Sequence, residues 1–377
     1  MIYKKLIFVL LFLMMISTPS FTIHAYNIDE YAENGLEASG AYELSEYLSK
    51  ETKEYLKKIG CGDIDFESLL DISPESVFEL ISEMLKSGMK EPFKAFLKST
   101  GIVLLVSVCS GFFPDDEKSK VVLNVICGSI TVIGVFAPAL NTIKAATSSI
   151  GVCAAFEKAL IPVLAGVLTA GGKPTLALTF KGAAFAAAEL VEYFASNFFM
   201  PLIGISGALG ITGAMLPTLR LSAVSEVIRK TVITVLGCVS GLFSGLLALK
   251  SVLSSSADAL IIRGVKTAAS FIPVVGGSLG EAYNSVSASI SLLKGTIGIY
   301  AVVALLLTVI PVAINLALWV FAMRFACTVS ELLDCGVCSE ILKNTAFIFS
   351  LTNSVLILCT AVLVISSGIV VAVKAGE

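Results

Sequence analysis

Long apolar stretches separated by short polar linkers fill the chain from about residue 96 onward. We expect membrane crossings over 96–113, 121–140, 150–171, 175–196, 198–216, 231–250, 270–291, 295–310, 311–325 and 345–372. A spanning helix needs about 20 predominantly apolar residues, and several of these stretches are shorter or more polar than that. The pattern therefore predicts an all-α polytopic membrane protein with about 8–10 transmembrane helices.

The N-terminus has the pattern of a signal peptide. Lys4 and Lys5 supply a positive start, the apolar run 6–16 is too short to span comfortably, and Pro19 then breaks the helix. We expect a signal peptide over 1–25, and an uncleaved first anchor is the alternative. On either interpretation the segment that follows is exported.

Residues 26–93 are the one region with a soluble composition. Acidic side chains dominate its first half, and apolar residues recur there at helical spacing. A second helix is expected to begin with Ser73 as its N-cap and Pro74 as its first residue. The sequence predicts an acidic helical extracytoplasmic module, either a docking site or a solvated cap, followed by a polytopic membrane domain over 94–377.

The basic linkers indicate the topology of the membrane domain. If the acidic module is outside and all ten stretches cross, the basic linker 220–230 lies inside, as the positive-inside rule requires. The linker would lie outside if 150–171 and 270–291 were re-entrant, that is, if each segment entered and left the membrane on the same side. The charges favour full crossings.

The composition excludes several classes of function. The chain has 377 residues, of which 56% are hydrophobic and 15% charged, with a formal net charge of −3. Such a chain is too apolar for a soluble enzyme or a disordered scaffold, and it lacks the basic patch of a nucleic-acid-binding protein. It has no P-loop, HExxH or G-x-S-x-G motif, and its single histidine, His24, lies in the expected signal peptide. We therefore predict no catalytic residue, cofactor or metal, and a lipid bilayer rather than nucleic acid as the surroundings.

The nine cysteines do not resemble a disulfide framework. Most lie in apolar runs, where cysteine acts as a small hydrophobe, and Cys61 has no partner in the acidic module. Cys335 and Cys338 have the spacing of a redox or zinc half-site. Because no second such pair and no nearby histidine exists, the sequence favours a structural role for them.

An internal repeat is visible in the apolar region. Residues 161–168 resemble residues 272–279, and the same offset of 111 positions relates Cys127 to Cys238. The offset predicts two tandem units, about 121–216 and 232–325, although low-complexity apolar sequence also produces chance matches.

The repeated segments contain helix-breaking residues. Pro162 is followed by Gly166, and Pro273 by Gly276 and Gly277. Proline removes a backbone donor, and freed carbonyl groups are tolerated in a membrane only where protein or water satisfies them. Many transporters line their pathway with such broken helices at a repeat interface. The pattern predicts a pathway here, and a kinked packing helix is the equal alternative.

Ionisable and small residues add further candidates. Placing a charge at mid-bilayer costs about 2.5–3.5 kcal/mol. The remaining candidates for a pathway or packing site are Lys181, Asp258, Lys266, Glu281, Lys294 and Pro311. Glu157 and Lys158 are adjacent and do not share a helix face, while Glu189 and Glu192 are expected to reach the membrane interface. No proton relay is predicted from these four residues.

Glycines recur every third position at Gly204, Gly207, Gly210 and Gly213. This spacing predicts close approach of another helix, from the same chain or from a second copy.

Several of these residues carry a family resemblance. Asp258, Lys266, the segment 271–277, and Leu293-Lys294 with Gly298 and Pro311 resemble the stage III sporulation protein AE family. The exported start, the acidic segment and the length are similar too. Ala259 follows Asp258 where the family pattern has glycine.

The resemblance implies a function. Members of that family belong to an assembly in the mother-cell membrane around the engulfed forespore. Its other members are a secretion-type ATPase, ring-forming and small membrane subunits of the same stage III A group, and a forespore membrane protein. The resemblance thus implies a membrane subunit of a secretion-like channel complex that endospore formation needs after engulfment. The alternatives are a stand-alone secondary transporter and a passive scaffold.

Overall fold

The computed structural model describes residues 35–62, 64, 68–69, 71–112, 117–216, 221–239, 241, 245 and 276–372. All regular structure in these residues is helical. A 3₁₀ segment, Ala41–Tyr47, precedes ten α-helices: α1 (Lys50–Lys58), α2 (Pro74–Gly88), α3 (Lys90–Ser110), α4 (Glu117–Thr131), α5 (Ala137–Ala170), α6 (Pro174–Phe194), α7 (Met200–Met215), α8 (221–239), α9 (Gly276–Leu332) and α10 (Gly336–Ala372).

The sequence explains where the first helices begin. The Ser49 hydroxyl accepts a hydrogen bond from the backbone N–H of Thr52 at 3.1 Å and caps α1. Ser73 caps α2 in the same way, accepting from the N–H of Ser76 at 3.1 Å, and Pro74 follows it. Such caps satisfy donors that a helix start leaves unpaired. The predicted start of α2 is confirmed.

Five helical segments of the described chain are long and apolar enough to cross a membrane: Pro74–Ser110, Leu140–Ala170, Pro174–Met215, Ile290–Leu332 and Gly336–Gly368. This confirms the all-α polytopic class.

The expected crossings differ from the helices at three boundaries. The crossings 121–140 and 150–171 belong to one helical run, because a π-helical turn, Val132–Phe136, joins α4 to α5. The crossings 175–196 and 198–216 form one helical run, because a π-helical turn, Ala195–Phe199, joins α6 to α7. The crossings 295–310 and 311–325 are one helix, since α9 continues through Pro311. Neighbouring groups in a membrane protein can satisfy the carbonyl that proline frees, so proline need not end a helix there.

The core is built around a hairpin of α9 and α10. The Trp319 ring packs on Phe349 with centroids 5.3 Å apart, and both side chains are fully buried. The hairpin turns at Asp334, whose φ of +52° is left-handed. Helices α3 and α5 pack on α9, and α6 packs on α5.

The acidic segment packs on the hairpin. The Thr52 hydroxyl of α1 lies 3.2 Å from the Thr308 hydroxyl of α9, and Gly88 of α2 faces Leu318. An exposed ion pair between Lys58 and Glu83, at 2.6 Å, joins α1 to α2. The expected boundary between residues 93 and 94 falls inside α3.

Helix α9 is much longer than a bilayer is thick. Its 57 residues extend about 85 Å at 1.5 Å per residue, whereas a hydrocarbon core is about 30 Å thick. A large part of α9 therefore lies outside the hydrocarbon region. The expected signal peptide, 1–25, and much of the second repeat unit lie outside the described residues.

Candidate functional site

A buried carboxylate marks the contact between α5 and α10. Glu157 on α5 is completely inaccessible to solvent, and its Oε2 accepts a hydrogen bond from the Ser367 hydroxyl of α10 at 2.7 Å. The Ser366 hydroxyl is close to the same carboxylate but is not in hydrogen-bonding geometry. The second carboxylate oxygen, Oε1, is also buried and accepts no hydrogen bond. One acceptor of Glu157 thus remains open inside the bundle.

The next residue faces a different helix. Lys158 Nζ lies 2.7 Å from Glu189 Oε1 and 2.8 Å from Glu192 Oε2, so one ammonium group bridges two carboxylates of α6. The side chain of Lys158 is 25% exposed, and those of the two glutamates are 56% and 43% exposed. Pairs this accessible contribute little to stability. Glu157 and this triad together place four ionisable groups where α5 meets α6 and α10.

A second polar contact joins α7, α8 and α10. The Arg229 guanidinium donates from Nη2 to Asn344 Oδ1 at 2.8 Å and lies 3.8 Å from the centroid of the Phe347 ring. Asn344 in turn donates to the Gly210 carbonyl at 2.9 Å. Burial lowers the pKa of Arg229, but an arginine side chain stays protonated in proteins. This network fixes α8 against the hairpin.

Three of the four glycines on α7 make close helix contacts. A Cβ atom on Gly207 would lie 2.5 Å from Ile348 Cδ1, one on Gly210 3.1 Å from Asn344, and one on Gly213 2.8 Å from the backbone nitrogen of Ser222. Gly204 is exposed and meets nothing within 4 Å. The predicted glycine face is therefore occupied by α8 and α10 of the same chain.

The proline and glycine candidates do not converge in the described part of the chain. Pro162 and Gly166 lie on the exposed side of α5, which continues through Pro162, and Lys181 is exposed on α6. Pro311 is half-buried within α9. The structure thus shows no helix break at Pro162 or Pro311.

The other candidates lie within the first third of α9 or in the segment that precedes this helix. Lys294 is buried on α9, and Lys173 of the α5–α6 turn is nearby. Gly276, Gly277 and Glu281 belong to the first turns of α9, whose side chains are not described. Asp258, Lys266 and Pro273 lie outside the described residues.

The sequence alone predicted no functional role for Glu157. Its partner Ser367 is 210 residues further along the chain, so no local spacing connects them. The salt bridges of Lys158 were missed for a related reason, because α6 returns beside α5 only in the folded chain. The usable signal was the presence of ionisable residues inside an apolar helix, which marks a functional candidate.

No group of three or more His, Cys, Asp or Glu side chains in the described residues is placed to hold a metal ion.

Comparison with known proteins gives two matches. A family model described as stage III sporulation protein AE matches residues 65–374. The stage III sporulation protein AE of Bacillus subtilis (strain 168) is 24% identical over 280 residues, covering 72% of this chain and 68% of the relative. No solved structure matches. The family match spans α2 to α10. It includes Glu157, its partner Ser367 and the salt bridges of Lys158.

Proposed function

Because this chain belongs to the stage III sporulation protein AE family, we propose that it is a membrane subunit of the mother-cell-to-forespore channel complex needed for endospore formation after engulfment. The observation that carries the proposal is the family match over 65–374, which includes nearly all of the described helical bundle. Neither the family description nor the relative's name states an enzymatic activity.

The location and partners follow from the same proposal. Five candidate spanning helices support a membrane protein, and we place it in the mother-cell membrane around the forespore. Its proposed partners are a secretion-type ATPase, ring-forming and small membrane subunits, and a forespore membrane protein. The acidic head would face the space between the two membranes. Its docking on α9 through Thr52 and Thr308 supports a head that transmits force or position to the bundle.

The Glu157 site supports a conducting subunit rather than a passive scaffold. A carboxylate buried in a membrane helix is costly, and such residues commonly serve ion or substrate pathways. One oxygen of Glu157 is hydrogen-bonded and the other is open. A buried carboxylate oxygen without a hydrogen-bond partner can take up a proton.

The alternative is a stand-alone secondary transporter built on duplicated broken helices. Helix α5 is continuous through Pro162, so the first repeated segment does not supply the required break; Pro273 of the second segment lies outside the described residues. The transporter hypothesis predicts that the purified protein moves a solute into liposomes without partners. The channel-subunit proposal predicts no such transport.

Deletion of the gene in a spore-forming host tests the proposal. We expect normal vegetative growth and a block in sporulation after engulfment. A tagged copy purified from sporulating cells should retain the ATPase-like and ring-forming subunits. Normal spores from the deletion strain would refute the proposal.

Complementation of the deletion strain tests the role of Glu157. We expect Glu157→Gln to reach the membrane at normal abundance but to give far fewer spores, because the variant keeps the shape and loses the charge. Glu79→Gln, at an exposed position of α2, is the matched control and should sporulate normally. Full sporulation with Glu157→Gln would remove the charge requirement and favour the scaffold.

A further inference from the structure

A cavity of about 390 Å³ opens at the end of the bundle where the α9–α10 turn meets α3, α4 and α7. Its wall includes Cys335 of the turn, Cys127 and Asn124 of α4, and Ser110 of α3. The cavity lies at the start of α10, about 30 residues before Ser367, the partner of Glu157, or roughly 45 Å at 1.5 Å per residue. It is therefore separate from the Glu157 site.

The cavity gives access to one member of a dithiol pair. Cys335 is the residue before α10, and Cys338 is one turn into that helix. Both are free thiols, and each one perturbs the pKa of the other. Cys338 is completely buried, and its sulfur lies 3.5 Å from the Thr131 hydroxyl of α4. Of these two cysteines, Cys335 borders the cavity and Cys338 does not.

The backbone holds the pair in a geometry that a disulfide can adopt. A disulfide needs Cα atoms within about 7 Å, and residues three apart in a helix are separated by about 4.5 Å along the axis. Asp334 directly before the pair has a left-handed φ of +52°, a conformation that aspartate tolerates better than most residues. The Ser330 hydroxyl donates to the Cys335 carbonyl at 2.9 Å and fixes the turn.

The local electrostatics distinguish the two sulfurs. The neighbouring Cys338 side chain and backbone N–H lower the pKa of Cys335 below its ordinary value, against the opposing effect of burial. The thiolate is the nucleophile in exchange reactions, and helix N-termini favour it. Cys335 is therefore the attacking sulfur and Cys338 the resolving one.

We propose that Cys335 and Cys338 are a redox-active dithiol that exchanges with a low-molecular-weight disulfide entering this cavity. The Cys335 thiolate attacks one sulfur of the disulfide, forms a mixed disulfide and releases the first small thiol. The Cys338 sulfur then attacks Cys335 Sγ, closes the intramolecular disulfide and releases the second small thiol. The two protons of the protein dithiol leave with the two released thiols, so the small disulfide is reduced and the protein oxidised by two electrons.

Oxidation would alter the end of the bundle. The Cys338 sulfur would turn from Thr131 toward Cys335, which removes a contact between α4 and α10. The same bond would constrain the hairpin turn.

The full-length protein in nanodiscs, treated with oxidised glutathione, tests the proposal. Free thiols are blocked with one alkylating reagent before reduction and with a second reagent afterwards, and peptides are identified by mass spectrometry. We expect an intramolecular disulfide between Cys335 and Cys338. The exposed Cys238 is an internal control and should give only a mixed disulfide with glutathione.

Two variants separate the roles of the sulfurs. Cys338→Ser should accumulate a glutathione mixed disulfide at Cys335, at least tenfold more than the wild-type protein, because the resolving thiol is missing. Cys335→Ser should leave Cys338 unmodified, because the buried thiol is not accessible. Absence of the 335–338 disulfide in the wild-type protein, or a disulfide from Cys335 to Cys127 instead, would overturn the proposal without reliance on a variant.

Discussion

Replacing Gly213 of α7 by alanine should destabilise the helical bundle, whereas the same change at Gly204 should not. Both residues lie inside α7, so alanine's helix preference of about 1 kcal/mol over glycine favours both variants nearly equally. The two positions differ in their surroundings. A Cβ at Gly204 meets nothing within 4 Å, and a Cβ at Gly213 lies 2.8 Å from the backbone nitrogen of Ser222.

The expected magnitude follows from that distance. Ordinary contacts begin near 3.4 Å, so α7 and α8 must separate locally by about 0.6 Å to accept the methyl group at Gly213. A gap of 0.5–1 Å forfeits about a quarter to a half of each affected dispersion contact, and overpacking a close-packed site costs about 1–3 kcal/mol. The free energy of unfolding of Gly213→Ala should thus be about 1–3 kcal/mol below that of Gly204→Ala.

Gly207→Ala provides an intermediate case. Its Cβ would come even closer, 2.5 Å, but to the terminal Cδ1 of Ile348. A side-chain methyl group can rotate away, and a backbone nitrogen in a packed helix cannot. We therefore expect the order of stability Gly204→Ala, then Gly207→Ala, then Gly213→Ala.

Equilibrium unfolding in mixed micelles, titrated with sodium dodecyl sulfate and followed by circular dichroism, measures these differences. The helix preference of alanine and the effect of the detergent contribute equally to each variant, so both cancel in the differences between their free energies of unfolding. Equal free energies of unfolding for Gly204→Ala and Gly213→Ala would refute the close α7–α8 contact. A larger loss at Gly207 than at Gly213 would refute the distinction between side-chain and backbone obstacles.

The remaining predictions concern polar contacts. Arg229→Lys should lower the free energy of unfolding in the same micelle titration by about 1–2 kcal/mol, since lysine cannot reproduce the planar stacking and the directed hydrogen bond; an unchanged value would mean that this contact carries no stability. Thr52→Val should weaken head docking by about 0.5–1.5 kcal/mol, which limited proteolysis would show as faster cleavage of the head. Alkylation of Cys335 by iodoacetamide should begin at a pH below the ordinary thiol value of about 8.5, because its lowered pKa converts thiol to thiolate there; a profile centred on the ordinary value would contradict the assigned attacking sulfur.

Local patterns were sufficient for the class of protein and for several of its elements. The apolar runs identified a polytopic helical protein because a membrane helix must be apolar along its whole length. The Ser73-Pro74 start of α2 was predictable because capping depends on neighbours in sequence. Three of the four glycines of α7 lie at helix contacts, since a repeat of three places them on one face.

The sequence by itself therefore determined that this chain is a helical membrane protein, where α2 begins and which face of α7 carries glycines. Only the tertiary structure decided what Glu157, Thr52 and Cys335 meet. The partners of Glu157 and Thr52 are 210 and 256 residues away, and the cavity beside Cys335 is formed by four helices. The continuity of α5 and α9 through their prolines was also decided by packing, because neighbouring helices and not the proline alone determine whether a membrane helix ends.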